Sequence, residues 1–127
     1  MEQRYLIDTN VVIDVLGSLM PMSVKKVIMQ MPLIVSAVTY IEALGWYRIT
    51  PFHLQIIQSF LDAATILPID QLVVEETVLI RQQAKIGLGD AIIAATASVY
   101  NLTLVTRNVS DFKNIKDLKI LNPWDNE

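Results

Sequence analysis

Short apolar runs alternate along the chain with longer stretches whose apolar residues recur every three or four positions, the pattern of strands alternating with helices. Residues 4–8 read as a short buried strand ending in the carboxylate of Asp8. Thr9 and Asn10 follow as turn and cap residues, then Val11 to Leu16 as a short helix stopped by Gly17. Ser23 is placed to cap a second helix through Gln30, Leu33 to Ser36 form a second strand behind Pro32, and residues 38–47 return to helical spacing. Thr50-Pro51 is a helix start, with a hydroxyl at the N-cap and proline at the first helical position, and this helix runs to about Ala63. Thr65 to Ile69 give a third strand. Asp70 caps a long helix through about Lys85, with Val73, Val74, Thr77, Val78 and Ile80 spaced to cover one face. After a turn at residues 86–89, Asp90 opens a helix that carries no charge on any face, and a helix apolar all round is buried. Leu102 to Thr106 form a fourth strand, residues 108–112 a tight turn or short helix, and Lys119 to Leu121 a fifth strand. No linker, repeat or low-complexity run divides the chain. The expectation is one α/β domain over residues 1–127, a parallel sheet covered on both faces with an extra helical pair after the second strand.

The 127 residues are 53% hydrophobic and 18% charged, enough for a real core and too apolar for a disordered chain. There is no cysteine and one histidine, His53. Disulfides, thiolate zinc sites, iron–sulfur clusters, cysteine nucleophiles and multi-histidine metal sites are thereby excluded. Any chemistry must rest on carboxylates, hydroxyls, amides and cations. Ten Lys+Arg against thirteen Asp+Glu give a net charge of −3, which alone argues mildly against a polyanionic partner. That argument weakens if acids bind divalent ions, since each ion adds two positive charges locally. The residues before Asp8 have neither the apolar core nor the cleavage site of a secretory leader. No uncharged stretch reaches the ~18 apolar residues of a membrane span, so a cytoplasmic protein is expected.

Ligands of parallel α/β sheets bind beyond the carboxyl ends of the strands, and the acids of this chain fall at such ends. Asp8 closes the first strand, Glu42 lies about a turn into the helix after the second, Asp90 starts the buried helix, and Asn108 and Asp111 follow the fourth strand. Singly, each acid also fits a plainer role: Asp8 and Asp90 as helix caps, Glu42 and Asp111 as solvated charges. Brought together, four carboxylates repel and raise one another's pKa values. A hard divalent ion relieves that repulsion, and Mg²⁺ or Mn²⁺ suits an all-oxygen donor set.

The same residues carry a resemblance. Tyr-Leu-Ile-Asp8-Thr9-Asn10-Val-Val, Val-Ser-Ala-Val-Thr-Tyr-Ile-Glu42, Gly-Asp90-Ala-Ile-Ile-Ala-Ala-Thr-Ala, Leu-Val-Thr106-Arg107-Asn108-Val-Ser-Asp111-Phe and Asn-Pro-Trp124 resemble the successive motifs of PIN-domain proteins. Within that group they are most similar to VapC-type ribonuclease toxins of toxin–antitoxin pairs. The resemblance spans essentially the whole chain. It implies a three-layer α/β/α sandwich with a mainly parallel sheet of four to five strands. It also implies a metal-dependent endoribonuclease acting on single-stranded or structured RNA, with a cognate antitoxin as partner and Mg²⁺ or Mn²⁺ as cofactor. By motif match Asp8, Glu42 and Asp90 are the metal-binding acids. Many PIN domains place a fourth acid where this chain has Asn108. Either Asp111 supplies that carboxylate or the site runs with three, and one or two metals remain open accordingly.

Phosphodiester hydrolysis in such a site assigns Asp8 and Asp90 as direct ligands and Glu42 as ligand or water-orienting base. Thr9, Asn10, Thr106 and Asn108 hold the carboxylates in register. Arg81, Lys85 and Arg107 are the candidates for contact with RNA phosphates, and Trp46, Tyr47 and Trp124 for base stacking or packing. His53 reads as a surface residue at a helix N-terminus. Met20, Met22, Met29 and Met31, with Leu19 and Ile28, suggest an adaptable binding surface and hence a homodimer or antitoxin complex. Two other readings compete: a catalytically silent PIN-like binding module, and a receiver-like signalling domain, which would need an acid pair after the first strand and a lone phospho-accepting aspartate after the third.

Overall fold

The computed structural model describes residues 3–126; Met1, Glu2 and Glu127, at the margins of the expected 1–127 domain, lie outside them. Five short strands alternate with helices: β1 (Tyr5–Ile7), α1 (Thr9–Leu16), α2 (Met22–Met29), β2 (Ile34–Ser36), α3 (Ala37–Leu44), α4 (Pro51–Asp62), β3 (Thr65–Leu67), α5 (Gln71–Gln83), α6 (Leu88–Val99), β4 (Thr103–Val105), α7 (Val109–Phe112) and β5 (Ile120–Leu121). A 3₁₀ turn, Pro123–Asn126, follows. All pairings are parallel. Tyr5 faces Thr103 in the β1–β4 pair, Ile34 faces Thr65 in β2–β3, and Leu104 faces Ile120 in β4–β5. The hydrogen-bonded groups are β1-β4-β5 and β2-β3, and β1 runs beside β2. The resulting succession is β3-β2-β1-β4-β5. Receiver-type sheets run 2-1-3-4-5 instead, so the signalling-domain reading fails on topology.

Alternation along the strands divides the interior in two. Leu6, Ile34 and Leu104 point into one core with Val73 and Ile80 of α5, the alanines of α6, and Phe112. Their neighbours Ile7, Val35 and Val105 point into a second core with Val11, Val12 and Val15 of α1, Val24 and Ile28 of α2, and Ile57 and Leu61 of α4. A two-residue period with both faces apolar produces the three layers. Each fully buried Leu or Ile stabilises the fold by about 1.5–3 kcal/mol relative to exposure.

Local signals set the helix ends. Asp8, Ser36, Thr50 and Asp70 each cap the helix that follows, accepting from the backbone N–H of Val11, Val38, His53 and Val73. Helix α6 closes with Leu102 N–H bonded to Ala97 C=O at 2.8 Å and Asn101 at φ 55°. Asparagine tolerates that left-handed turn, which returns the chain directly into β4. Two expected starts move. α2 begins at Met22 behind Pro21, with no side-chain cap, so Ser23 is not its cap. α6 begins at Leu88 behind Gly87, two residues before Asp90, because the amide donors of its first turn lie upstream of that carboxylate. The helix expected over 38–47 stops at Leu44, where Gly45 N–H bonds Ile41 C=O.

Candidate active site

Asp8 continues β1 beyond its last paired residue, its N–H bonding Val105 C=O at 3.1 Å. Its side chain is 4% exposed and does two things at once. Oδ1 accepts from Val11 N–H at 3.0 Å and caps α1, while Oδ2 accepts from Thr106 Oγ1 at 2.5 Å. The cap and the site are therefore the same residue. Thr106 leaves β4 at the adjacent position, and its Oγ1 also accepts from Asn108 N–H at 3.0 Å. Asn108 acts here through its backbone; its side chain makes no cap for α7. Burial pushes the Asp8 carboxyl above its ordinary range, opposed by the bonds from Thr106, Val11 and Asn10.

Glu42 projects from the exposed side of α3, where its Oε1 accepts from Thr9 Oγ1 at 2.7 Å. Asp90 is the third residue of α6 and half-buried. Its carboxyl is also pushed upward, first by burial and then by the charges of Glu42, Asp111 and Asp8. Four acids remote in sequence thus share one electric field with Asp90 at its centre. Among the described residues no three acids close tightly enough to cage an ion.

Two hollows meet at Asp90. The first, about 530 Å³, has Asp8, Asn10, Glu42 and Asp90 in its lining, with Trp46, His53 and Ile57. The second, about 500 Å³, is more polar and includes Lys85, Ser110, Asp111 and Asn114 beside Asp90. Asp111 therefore shares its hollow with Asp90 and not with Asp8 or Glu42. Of the three cations proposed from sequence, Lys85 alone borders these hollows. Arg81 lies on the exposed face of α5 and lines neither. Arg107 turns away: its guanidinium stacks 4.9 Å over the Trp124 ring, in a third hollow with Asp14 and Leu19. That contact also occupies Trp124, and Tyr47 lies under Arg48 at 5.4 Å, so neither aromatic borders the acids.

His53 and the wall around it were not legible as part of the site. The ring sits in the first turn of α4, its Nδ1 sharing a 2.8 Å hydrogen bond with Thr50 Oγ1, and it lines the acidic hollow. Trp46 is 55% exposed and borders the same space rather than packing in a core. The methionine cluster splits. Met20 and Ile28 are core residues and Met31 is half-buried, leaving Leu19, Met22 and Met29 on the surface. No helix among the described residues is long and apolar enough to cross a membrane.

The chain has relatives of known structure. A chain in a toxin–antitoxin complex from Klebsiella pneumoniae is 31% identical, with a TM-score of 0.78 and an alignment covering 94% of this chain and 97% of that one. A chain of DNA-bound VapBC from Salmonella typhimurium has the same fold at 20% identity, TM-score 0.84, over 96% of this chain and 99% of that one. A ribonuclease VapC of Rickettsia bellii is 44% identical over 43 residues, 34% of this chain and 32% of the relative, so the match spans about a third of that protein. The PIN domain pattern itself matches residues 5–118. Sheet order, strand-end acids and a match over nearly the whole length agree, and the chain belongs to the PIN domain family.

Proposed function

We propose that this chain is a metal-dependent endoribonuclease and the toxin of a toxin–antitoxin pair, working in the cytoplasm where its RNA substrate lies. The observation that carries the reading is geometric: Asp8, Glu42 and Asp90, from β1's end, α3 and α6, line one hollow, and Asp111 of α7 shares the adjoining one with Asp90. An ordinary protein surface does not gather four acids around two adjoining hollows without a cation to offset them. The donors are all oxygen, which fits a hard divalent ion, Mg²⁺ or Mn²⁺. Asp8, Glu42 and Asp90 are the residues that would hold it, with Asp111 as fourth acid. Such an ion, when bound, acidifies water and polarises a phosphoryl oxygen.

The protein's own groups do the rest. Thr106, fixed by Asn108 N–H, aims Asp8, and Thr9 aims Glu42. Asn10 borders the hollow beside them, and Lys85 is the cation placed to take a phosphate of the bound strand. The Klebsiella pneumoniae neighbour, a chain of a toxin–antitoxin complex, supports an antitoxin as partner. Exposed apolar side chains, among them Leu19, Met22, Met29 and Phe52, offer surface for it and for a homodimer.

Purified chain should cleave single-stranded RNA with Mg²⁺ or Mn²⁺ and stop on chelation. Asp8→Asn and Asp90→Asn should lose at least about a hundredfold in rate while remaining folded, since even changes around metal ligands cost 10–100-fold. The same preparation should elute as a dimer at micromolar concentration. Metal-bound, folded wild-type protein that cuts no RNA would leave the silent binding module as the surviving reading.

A further inference from the structure

Glu42 stands on an exposed helix face, where a glutamate ordinarily samples many rotamers, yet both of its carboxylate oxygens are placed. Oε1 accepts from Thr9 Oγ1, and that same hydroxyl lies 2.9 Å from Thr39 Oγ1. A hydroxyl carries one proton, and an ionised carboxylate only accepts. With the Thr9 proton on Glu42, the proton between the two threonines must come from Thr39. The relay therefore runs one way, from Thr39 through Thr9 to Glu42. Thr39 is fully buried, so no solvent water competes for its proton.

The other oxygen is placed by an absence. Glu42 Oε2 lies closer than any van der Waals contact allows to the position a Cβ on Gly89 would take, with Glu42 Cδ 3.3 Å from that position. Gly89 lies inside α6, and no glycine among the described residues has a positive φ. The backbone there has no need of glycine, which is a poorer helix former than alanine. What alanine would displace is the carboxylate end of Glu42.

We propose that Thr39 and Gly89 are positioning residues for Glu42: a buried hydroxyl relay aims one carboxylate oxygen, and a missing side chain beside Asp90 makes room for the other. The proposal rests on the reading of Glu42 as one of the acids that hold the metal.

The test is Mn²⁺ titration calorimetry without RNA, alongside thermal melts of the metal-free protein, on wild type, Thr39→Val, Thr39→Ser and Gly89→Ala. Thr39→Val should weaken Mn²⁺ binding by about 10–100-fold, as loss of supporting partners does elsewhere, and Thr39→Ser should restore it. Gly89→Ala should weaken binding comparably while the melting temperature holds or rises, because alanine favours the helix and only a flexible side-chain end must move. In a Glu42→Gln background neither change should weaken binding further. Affinity losses that persist in that background, or that fall in step with melting temperature, would overturn the proposal. If wild type binds no Mn²⁺, the metal-nuclease reading fails by itself. Crystal structures of the Thr39→Val and Gly89→Ala variants then decide the clamp: a displaced Glu42 carboxylate supports it, and an unmoved one refutes it.

Discussion

An aspartate whose carboxyl is held above its ordinary range favours the folded state only while it keeps its proton. Asp90 is such a group, raised by burial and then by Glu42, Asp111 and Asp8. As pH climbs past the ordinary value of 3.8, the unfolded chain ionises first, and the metal-free fold loses stability until the folded-state pKa is passed. Asp90→Asn should therefore melt higher than wild type at pH 7 without metal, with the gap closing as pH falls through the carboxylate range. Added Mn²⁺ should raise the wild-type melting temperature and leave the variant's unchanged. Equal melting at pH 7 would mean that the Asp90 charge costs the fold nothing. Asp8, also raised by burial, is a poorer probe, because its cap to Val11 and its bond from Thr106 would be disturbed together. The placement of Asp8 at a strand end and of Asp90 in the first turn of a buried helix was legible at this scale, since both follow from local sequence. Thr39, Gly89 and His53 were not. Their roles depend on how α3, α4 and α6 cross, and no spacing within one segment encodes a crossing.

Helix α6 carries Asp90 and owes its position to small residues. Ala91, Ala94, Ala95 and Ala97 are all fully buried in the core that α5 enters through Val73 and Ile80. Alanine on that face lets the two helices approach closely and loses no side-chain entropy of its own on burial. Ala94→Leu should cost about 1–3 kcal/mol through overpacking, a drop of roughly 3–10 °C in melting temperature for a chain of this size. Ser98→Ala, on the exposed side of the same helix, should change stability by less than about 0.5 kcal/mol. A tolerated leucine would show that the helix interface has slack. The strands, down to the short β5, and the longer helices were readable from the sequence, whereas α7 was left between a tight turn and a short helix and the 3₁₀ turn Pro123–Asn126 was not read. The starts of α2 and α6 were not, because Ser23 and Asp90 look like caps while Pro21 and Gly87 hold those positions. A hydroxyl or carboxylate near a helix start is not evidence of capping until its oxygen reaches an amide.

Across the whole molecule, charge and shape set terms for a substrate. The chain carries a net charge of −3, and Lys85 is the one of the three candidate cations that borders the acids. RNA affinity should therefore fall with salt along a shallow slope, worth a few phosphates. Lys85→Glu should weaken RNA binding while leaving Mn²⁺ binding intact. A hairpin loop should be cut faster than the same sequence in perfect duplex, since a strand must bend to enter the hollow and A-form RNA resists that. Equal rates would refute the recessed-site picture. The parallel sheet has a consequence in time as well as in space. Asp8 and the hydroxyl that aims it are 98 residues apart, and β1 finds its partner only in β4. During synthesis the N-terminal acid leaves the ribosome long before the strand that completes its surroundings. Chains ended before about residue 106 would hold Asp8, Glu42 and Asp90 without the frame that orders them. On the nuclease reading proposed above, nascent chains that stop short of β4 should therefore cut no RNA, a delay written into strand order itself.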